Sequence, residues 1–193
     1  MKNPTDDFSD FEERLIVSGN SAKVGKLNGQ RFYAVRFSHG GDFSLPFARK
    51  KFSALINAVG KFSDEELREI GLKLLQHGLV CAVCIGSAAE KMSEILDELI
   101  DDHNFTFDGF TPYSHVEDGS LADSLEFFSL PTGLTTVSLI LTLGSGDDHN
   151  ATVDMMNSLF LLEDFSESED AEEDDEGLEE GLVCEAANPF ALV

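Results

Sequence analysis

Two short segments carry residue types that metal or acid–base chemistry uses. The first, G-S-G-D-D-H-N at 144–150, follows a strongly apolar stretch and precedes a helix-like pattern. Carboxylate oxygens and an imidazole nitrogen are good ligands for a divalent metal ion, and here they would come from Asp147, Asp148 and His149. A glycine turn of this kind also lets a phosphate approach the backbone. The segment thus offers one functional alternative, a small metal-dependent hydrolase or nucleotide-binding enzyme.

A structural interpretation of the same segment competes with that alternative. The dinucleotide pattern G-x-G-x-x-G is incomplete here, and the lysine of the P-loop is missing. Asp147, Asp148 and Asn150 are residue types that cap helices and fill their first turn. We therefore favour helix capping for 144–150 and expect no cofactor, with a divalent metal as the alternative.

The second segment, T-P-Y-S-H-V-E-D-G-S-L at 111–121, lies between a short predicted strand and a predicted helix. His115 with Glu117 or Asp118 matches the pairing of a general base with an orienting carboxylate. His115 and Glu117, together with His149, are the catalytic candidates of the chain. A loop histidine that caps or packs is the commoner case, and we favour it for His115.

This second segment also carries a resemblance that extends over about 79–130. It is similar to a family of small bacterial proteins of unknown function, in which a strand, the motif T-x-W-H-x-D-E-S-L and a helix ending in paired aromatics follow one another. The matching positions are Thr111, His115, Glu117, Asp118, Ser120, Leu121, Leu125, Phe127 and Phe128. Tyr113-Ser114 replaces the tryptophan, and Gly119 is an insertion. The resemblance implies no activity.

The three cysteines are Cys81, Cys84 and Cys184. Cys81 and Cys84 have redox spacing, but they lie within an apolar run, where residues three apart in a strand point to opposite faces. A redox pair needs its nucleophile at a helix N-terminus, and no second C-x-x-C completes a zinc site. We expect structural, reduced cysteines and a cytoplasmic protein.

Charge is distributed very unevenly along the 193 residues. There are 37 Asp and Glu against 13 Lys and Arg, a formal net charge of −24, and the last Lys or Arg is Lys91. Binding to nucleic-acid phosphates or to an anionic membrane needs a positive surface, so we expect neither. The acidic half either keeps a surface solvated or recognises a basic protein partner, because uncompensated carboxylates attract cationic surfaces.

The C-terminal region combines an acidic segment with an apolar end. Twelve of the eighteen residues at 163–180 are acidic, which predicts a disordered linker. Residues 181–193 are mainly apolar and are typical of a tethered docking peptide, or of a final segment that packs back on the domain. The candidate partner-binding residues are Asp170, Glu172, Glu173, Asp174, Asp175, Phe190 and Leu192.

Periodicity predicts the elements that must position these residues. Strands are predicted at 14–18, 31–38, 79–85, 105–110 and 135–143, with turns between the first two. Helices are predicted after Pro46, from the capping signature at Ser63 to Gly78, from Ser87, from 118–120, and from Asn150 or Thr152. In the helix after Pro46, the apolar stripe would be Phe47, Phe52, Leu55, Ile56 and Val59.

These elements predict an α/β three-layer sandwich. Its mixed, mostly parallel sheet would carry antiparallel strands at the N-terminus and a disordered acidic tail at the C-terminus. The predicted organisation is a mobile acidic leader at 1–12, a single α/β domain at 13–162, an acidic linker at 163–180 and an apolar segment at 181–193. The function that we favour is a non-catalytic acidic interaction protein, an adaptor, immunity-type or inhibitor protein of bacterial or phage origin.

Overall fold

The computed structural model describes residues 21–27, 29–38, 44–130, 133 and 135–169. The predicted leader at 1–12, the predicted strand at 14–18 and all the candidate partner-binding residues, from Asp170 to Leu192, lie outside these described residues. Within them the chain forms six strands and four helices.

The strands and helices follow one another with short connections. The strands are β1 Ser21–Leu27, β2 Gln30–Phe37, β3 Phe52–Ala58, β4 Leu79–Ile85, β5 Tyr113–Val116 and β6 Val137–Leu143. The helices are α1 Asp64–His77, α2 Ala89–His103, α3 Leu121–Ser129 and α4 Gly146–Glu169. No helix in this described part of the chain is long and apolar enough to cross a membrane.

The six strands form one mixed sheet in the order β1-β2-β6-β3-β4-β5. β1 and β2 are antiparallel, and every other neighbouring pair is parallel. The predicted α/β class, with N-terminal antiparallel strands on a mostly parallel sheet, is therefore confirmed.

Helices cover both faces of the sheet. On one face α1 and α2 bury residues such as Leu74 and Leu96 against the sheet, together with Phe47 from the β2–β3 connection. On the other face α3 and α4 bury residues such as Leu125 and Met156. The central strands are thus apolar on both sides, as expected for parallel strands between two helical layers.

The prediction of a helix after Pro46 was wrong. The run F-S-A-L-I-N-A forms strand β3, and all of its residues are buried between β6 and β4. A short apolar run fits both a helix stripe and a strand buried on two faces, so periodicity alone does not separate them. This run becomes a strand because it lies between β6 and β4 in the sheet.

Several other boundaries also differ from their predictions. The segment 105–110 forms a turn closed by a bridge between Phe107 and Phe110, and the strand comes later, as β5. β1 occupies 21–27, where turn residues are frequent. α4 begins at Gly146, earlier than Asn150, and continues beyond 162 into the predicted linker. Ser87 donates to the carbonyl of Val59 and does not cap α2.

The ends of α1 agree with the sequence. Ser63 and Glu66 form a reciprocal capping box, in which each side chain accepts from the other residue's backbone N–H. The helix ends at Gly78, whose φ of 111° lies in the left-handed region. These local signals depend on few residues, which explains why the sequence was sufficient to place them.

The carboxyl ends of β2 to β6 lie at one edge of the sheet, which we call the carboxyl edge. At this edge β4 continues into α2 on one face, whereas β5 continues into α3 on the other face. Connections that leave neighbouring strands in opposite directions create a crevice, where ligands of α/β proteins commonly bind. The β4–β5 crevice is therefore a candidate position for a ligand.

Candidate functional site

The loop at 144–150 leads from β6 into α4 at the carboxyl edge. The backbone N–H of Ser145 donates to Oδ2 of Asp148 over 2.8 Å, and the N–H of Asp148 donates to Oγ of Ser145 over 3.2 Å. Hydrogen bonds from the hydroxyl and backbone of Ser145 hold the pKa of Asp148 below its usual value. Ser145 is therefore the N-cap residue of α4, Asp148 completes a capping box with it, and Asp147 is exposed in the first turn.

His149 lies in the first turn of α4 and packs against the end of β6. Its Nδ1 lies 3.4 Å from Oγ1 of Thr142. Burial lowers the pKa of His149, and the positive charge of Arg36 lowers it further. A Cβ atom added at Gly146 would lie 2.6 Å from Nη1 of Arg36, so this guanidinium lies directly against the loop. The neutral imidazole is the form that this environment favours.

His149 is expected to make stability depend on pH. The folded-state pKa is below the unfolded value of about 6.5, so the unfolded chain binds the proton more readily. This contribution to stability is complete above about pH 6.5 and decreases as the pH falls below that value. We expect His149→Asn to reduce the loss of unfolding free energy between pH 7.5 and 5.5, as measured by urea denaturation.

The matched control for this prediction is Asn150→Gln, because Asn150 is the exposed neighbour of His149 in α4 and carries no titratable group. This control should retain the wild-type pH dependence. If His149→Asn also retains it, half-burial of the imidazole has no effect on proton binding, contrary to this expectation.

His115 lies in β5, at the edge of the sheet, and Glu117 follows that strand, whereas His149 follows the interior strand β6. The exposed ring of His115 stacks against Tyr113, with centroids 6.5 Å apart and an interplanar angle of 17°. β3 and β4 separate β5 from β6, which places these two strands about 14 Å apart at the usual strand spacing. The structure therefore does not bring His115 and His149 to one cavity.

The alternative of a divalent metal site depends on whether the candidate ligands lie close together. Among the residues that the structure describes, no three His, Cys, Asp or Glu side chains form a group that could hold a metal ion. Asp147, Asp148 and His149 thus do not form a three-ligand centre in this arrangement. The described geometry supports capping and packing for these residues.

A polar depression lies at the β4–β5 crevice of the carboxyl edge. Its volume is about 470 Å³, and its walls come from the ends of β4 and β5 and the first turn of α2. The acidic side chains in its lining are Glu90, Glu117 and Asp118. The depression is thus suited to a cationic group and unsuited to an anion.

The outward carboxylates of α2 fall on two faces of the helix. One face points toward α1, where Arg68 pairs with Glu98 and lies 3.9 Å from Asp102. Lys91 of the same face pairs with Asp64 of α1. The negative charge on this side of α2 is therefore balanced by cations from the N-terminal half.

The other face of α2 carries the residues Glu90, Glu94, Asp97 and Asp101, which we call the acidic stripe. All four side chains are exposed, and their spacing of three or four places them on one helix face. No ion pair between described residues involves any of them. Asp97 accepts a hydrogen bond of 2.7 Å from Oγ of Ser114, so the stripe borders β5.

The two cysteines of β4 point to opposite faces of the sheet. Cys84 belongs to the core beneath α1 and α2, and Cys81 belongs to the core on the α3–α4 side. Burial raises the pKa of the Cys84 thiol to about 12, with a smaller contribution from the charge of Asp97. Burial also raises the pKa of Cys81. These thiols have the properties of structural cysteines.

The sequence predicts that the carboxylates of α2 face outward, but it does not predict which of them remain without an ion-pair partner among the described residues. Helical periodicity places the carboxylates of α2 outward, whereas their division into a paired and an unpaired face depends on how α1 packs.

Comparisons with protein-family models, with curated proteins and with solved structures find no match to this chain.

Proposed function

We propose that this protein is a non-catalytic acidic interaction protein, of the adaptor, immunity or inhibitor type, that binds a basic protein partner. The observation that supports this most strongly is the acidic stripe, four exposed carboxylates on one face of α2 that form no ion pair with any described residue. The neighbouring face of the same helix is balanced by Arg68 and Lys91. The two faces of one helix thus differ in the charge that remains available to a partner.

Electrostatic steering is the mechanism. Like charges at i and i+4 on a helix repel one another, so gathering four carboxylates on one face adds a small cost to α2, although Glu90 alone is favoured in the first turn by the helix dipole. Together with Glu117 and Asp118 at the end of β5, it creates a negative region beside the carboxyl edge. Such a region accelerates encounter with a cationic surface and disfavours anionic partners, and salt screens both effects.

A charge-neutralising variant tests the proposal. We expect the full-length variant Glu90→Gln, Glu94→Gln, Asp97→Asn, Asp101→Asn to bind a fluorescein-labelled arginine decapeptide about tenfold more weakly than wild type. This estimate takes about 0.3–0.5 kcal/mol for each exposed charge. The measurement is fluorescence anisotropy at about 50 mM salt, repeated at about 300 mM, where the difference should shrink.

The matched control removes the same number and types of charge from the paired face and from α1. It is Glu98→Gln, Asp102→Asn, Asp64→Asn, Glu69→Gln, four residues that form ion pairs in the structure. We expect it to weaken binding by less than about threefold, because the stripe is intact. Equal losses in the two variants would show that only net charge matters, and the proposal would then be abandoned.

A further inference from the structure

β5 leaves one edge of the sheet open. Among the described strands it has a single neighbour, β4, and it ends the sheet. The N–H of Glu117 donates to the carbonyl of Cys84 over 3.0 Å, at the end of the parallel ladder. Because backbone groups alternate in direction along a strand, the N–H and C=O groups of Ser114 and Val116 point away from β4. These groups are available to another strand.

The side chains of β5 do not protect this edge. Natural proteins commonly place lysine or proline in an edge strand to prevent pairing, and the Y-S-H-V sequence of β5 contains neither. Tyr113 and Val116 are instead 44% and 37% exposed. An added strand would bury both of them.

The acidic stripe lies along the same edge. The hydrogen bond from Ser114 to Asp97 fixes the middle of the stripe beside the middle of β5. At the end of β5, Glu90 and Glu117 line the polar depression together with Val116. A strand added to β5 would lie about 4.8 Å farther out, so that its side chains on the α2 face would approach these carboxylates.

Resting on the proposed function, we infer that β5 is the docking strand: an extended, Lys/Arg-rich segment of the partner adds to its open edge. Side chains alternate between the two faces of a strand, so the segment carries a basic residue at every second position, facing α2. The intervening residues lie on the side of Tyr113 and are apolar. Backbone hydrogen bonds supply affinity, and the carboxylates supply specificity.

Charge decides against two other occupants. A second copy of this chain would bring two acidic stripes together, and each chain has a formal net charge of −24. The chain's own C-terminal region contains no Lys or Arg after Lys91, so it offers no cation to the stripe. Like charges placed together across an interface oppose association.

The test uses full-length protein and a labelled nonapeptide that alternates lysine with valine. We expect slower amide exchange at Ser114 and Val116 on saturation with this peptide, by about tenfold or more. A peptide of the same sequence, N-methylated at the alternate residues whose amides would face β5, keeps its charge but cannot donate ladder hydrogen bonds to that strand. It should bind about tenfold more weakly, as measured by anisotropy.

A pair of variants adds an independent measurement. Val116→Pro removes an N–H that points away from β4, and we expect it to weaken peptide binding about tenfold. Val116→Thr keeps the N–H and should bind within about twofold of wild type. The comparison is between two variants at one exposed position, so the acidic stripe is the same in both.

Each alternative outcome identifies a different failure. Equal binding of the N-methylated peptide, or unchanged exchange at β5, overturns the docking strand, although the charge-variant result can still support the proposed function. Amides that are already protected without peptide would mean that the chain itself occupies the edge. A dimer in sedimentation, with protection of the Ser114 and Val116 amides that is lost on dilution to the monomer, would assign the edge to a second copy. Failure of every basic peptide to bind rejects both proposals.

Discussion

Replacing Gly78 with alanine is expected to lower the free energy of unfolding by about 3 kcal/mol. Gly78 has a φ of 111°, a conformation that strains any residue with a side chain. A Cβ atom here would also lie 2.4 Å from the carbonyl oxygen of Lys50. The chain before β3 cannot move away easily, because the N–H of Phe52 donates to the carbonyl of Gly78. The backbone strain and the contact with the Lys50 carbonyl therefore both lower the free energy of unfolding of the variant.

Gly109→Ala is the matched control for this experiment. Gly109 also has a positive φ, 74°, but no atom lies within 4 Å of the position that a Cβ would take. It should lose only about 1 kcal/mol, the cost of the backbone conformation alone. Urea denaturation followed by far-UV circular dichroism gives both values. A loss at Gly78 no larger than that at Gly109 would contradict the close approach of the β2–β3 connection.

The second large effect is expected at Phe32. Its side chain is fully buried, and its ring lies 6.5 Å from that of Phe128 in α3 and 5.4 Å from that of Phe160 in α4. We expect Phe32→Ala to cost about 3–5 kcal/mol, because the cavity would separate β2 from both helices of this layer. Thermal and urea denaturation measure the loss.

Phe127→Ala serves as the comparison, because Phe127 lies next to Phe128 in α3 but is 60% exposed. It should change stability by less than about 0.5 kcal/mol. Similar losses at Phe32 and Phe127 would mean that α3 and α4 do not pack on the sheet as described.

Local signals explain the parts of the fold that the sequence predicted well. The capping box of Ser63 and Glu66 and the C-cap at Gly78 each depend on a few neighbouring residues. The run at 79–85 lies between glycines and has no polar face, which indicates a strand buried on both sides. In elements of this kind, residues at or next to the ends determine where the helix or strand begins and ends.

The elements that were not predicted depend on distant parts of the chain. β3 has an apolar pattern that fits a helix, and it becomes a strand because β4 and β6 pair with it. β5 is a strand only because it continues the ladder of β4, and its own residues include an exposed histidine. Local propensity is weak in such segments, and tertiary pairing decides their structure.

The candidate site shows the same division. The sequence established that cations end at Lys91 and that α2 has an acidic outer surface. It could not establish that Arg68 neutralises Glu98, because the two residues are 30 positions apart and meet only when α1 packs on α2. Nor could it give the strand order, which places His115 far from His149. The roles of the acidic linker at 163–180 and of the apolar segment at 181–193 in partner binding stay predictions.

The position of β6 has a consequence for the synthesis of this protein on the ribosome. β6 pairs with β2 on one side and β3 on the other, although it is the last of the described strands to be made. Until residues 137–143 emerge, the β1–β2 hairpin and the β3-β4-β5 unit have no common neighbour, and each exposes an apolar edge. The nascent chain therefore holds two half-sheets that join only when their central strand arrives, late in translation.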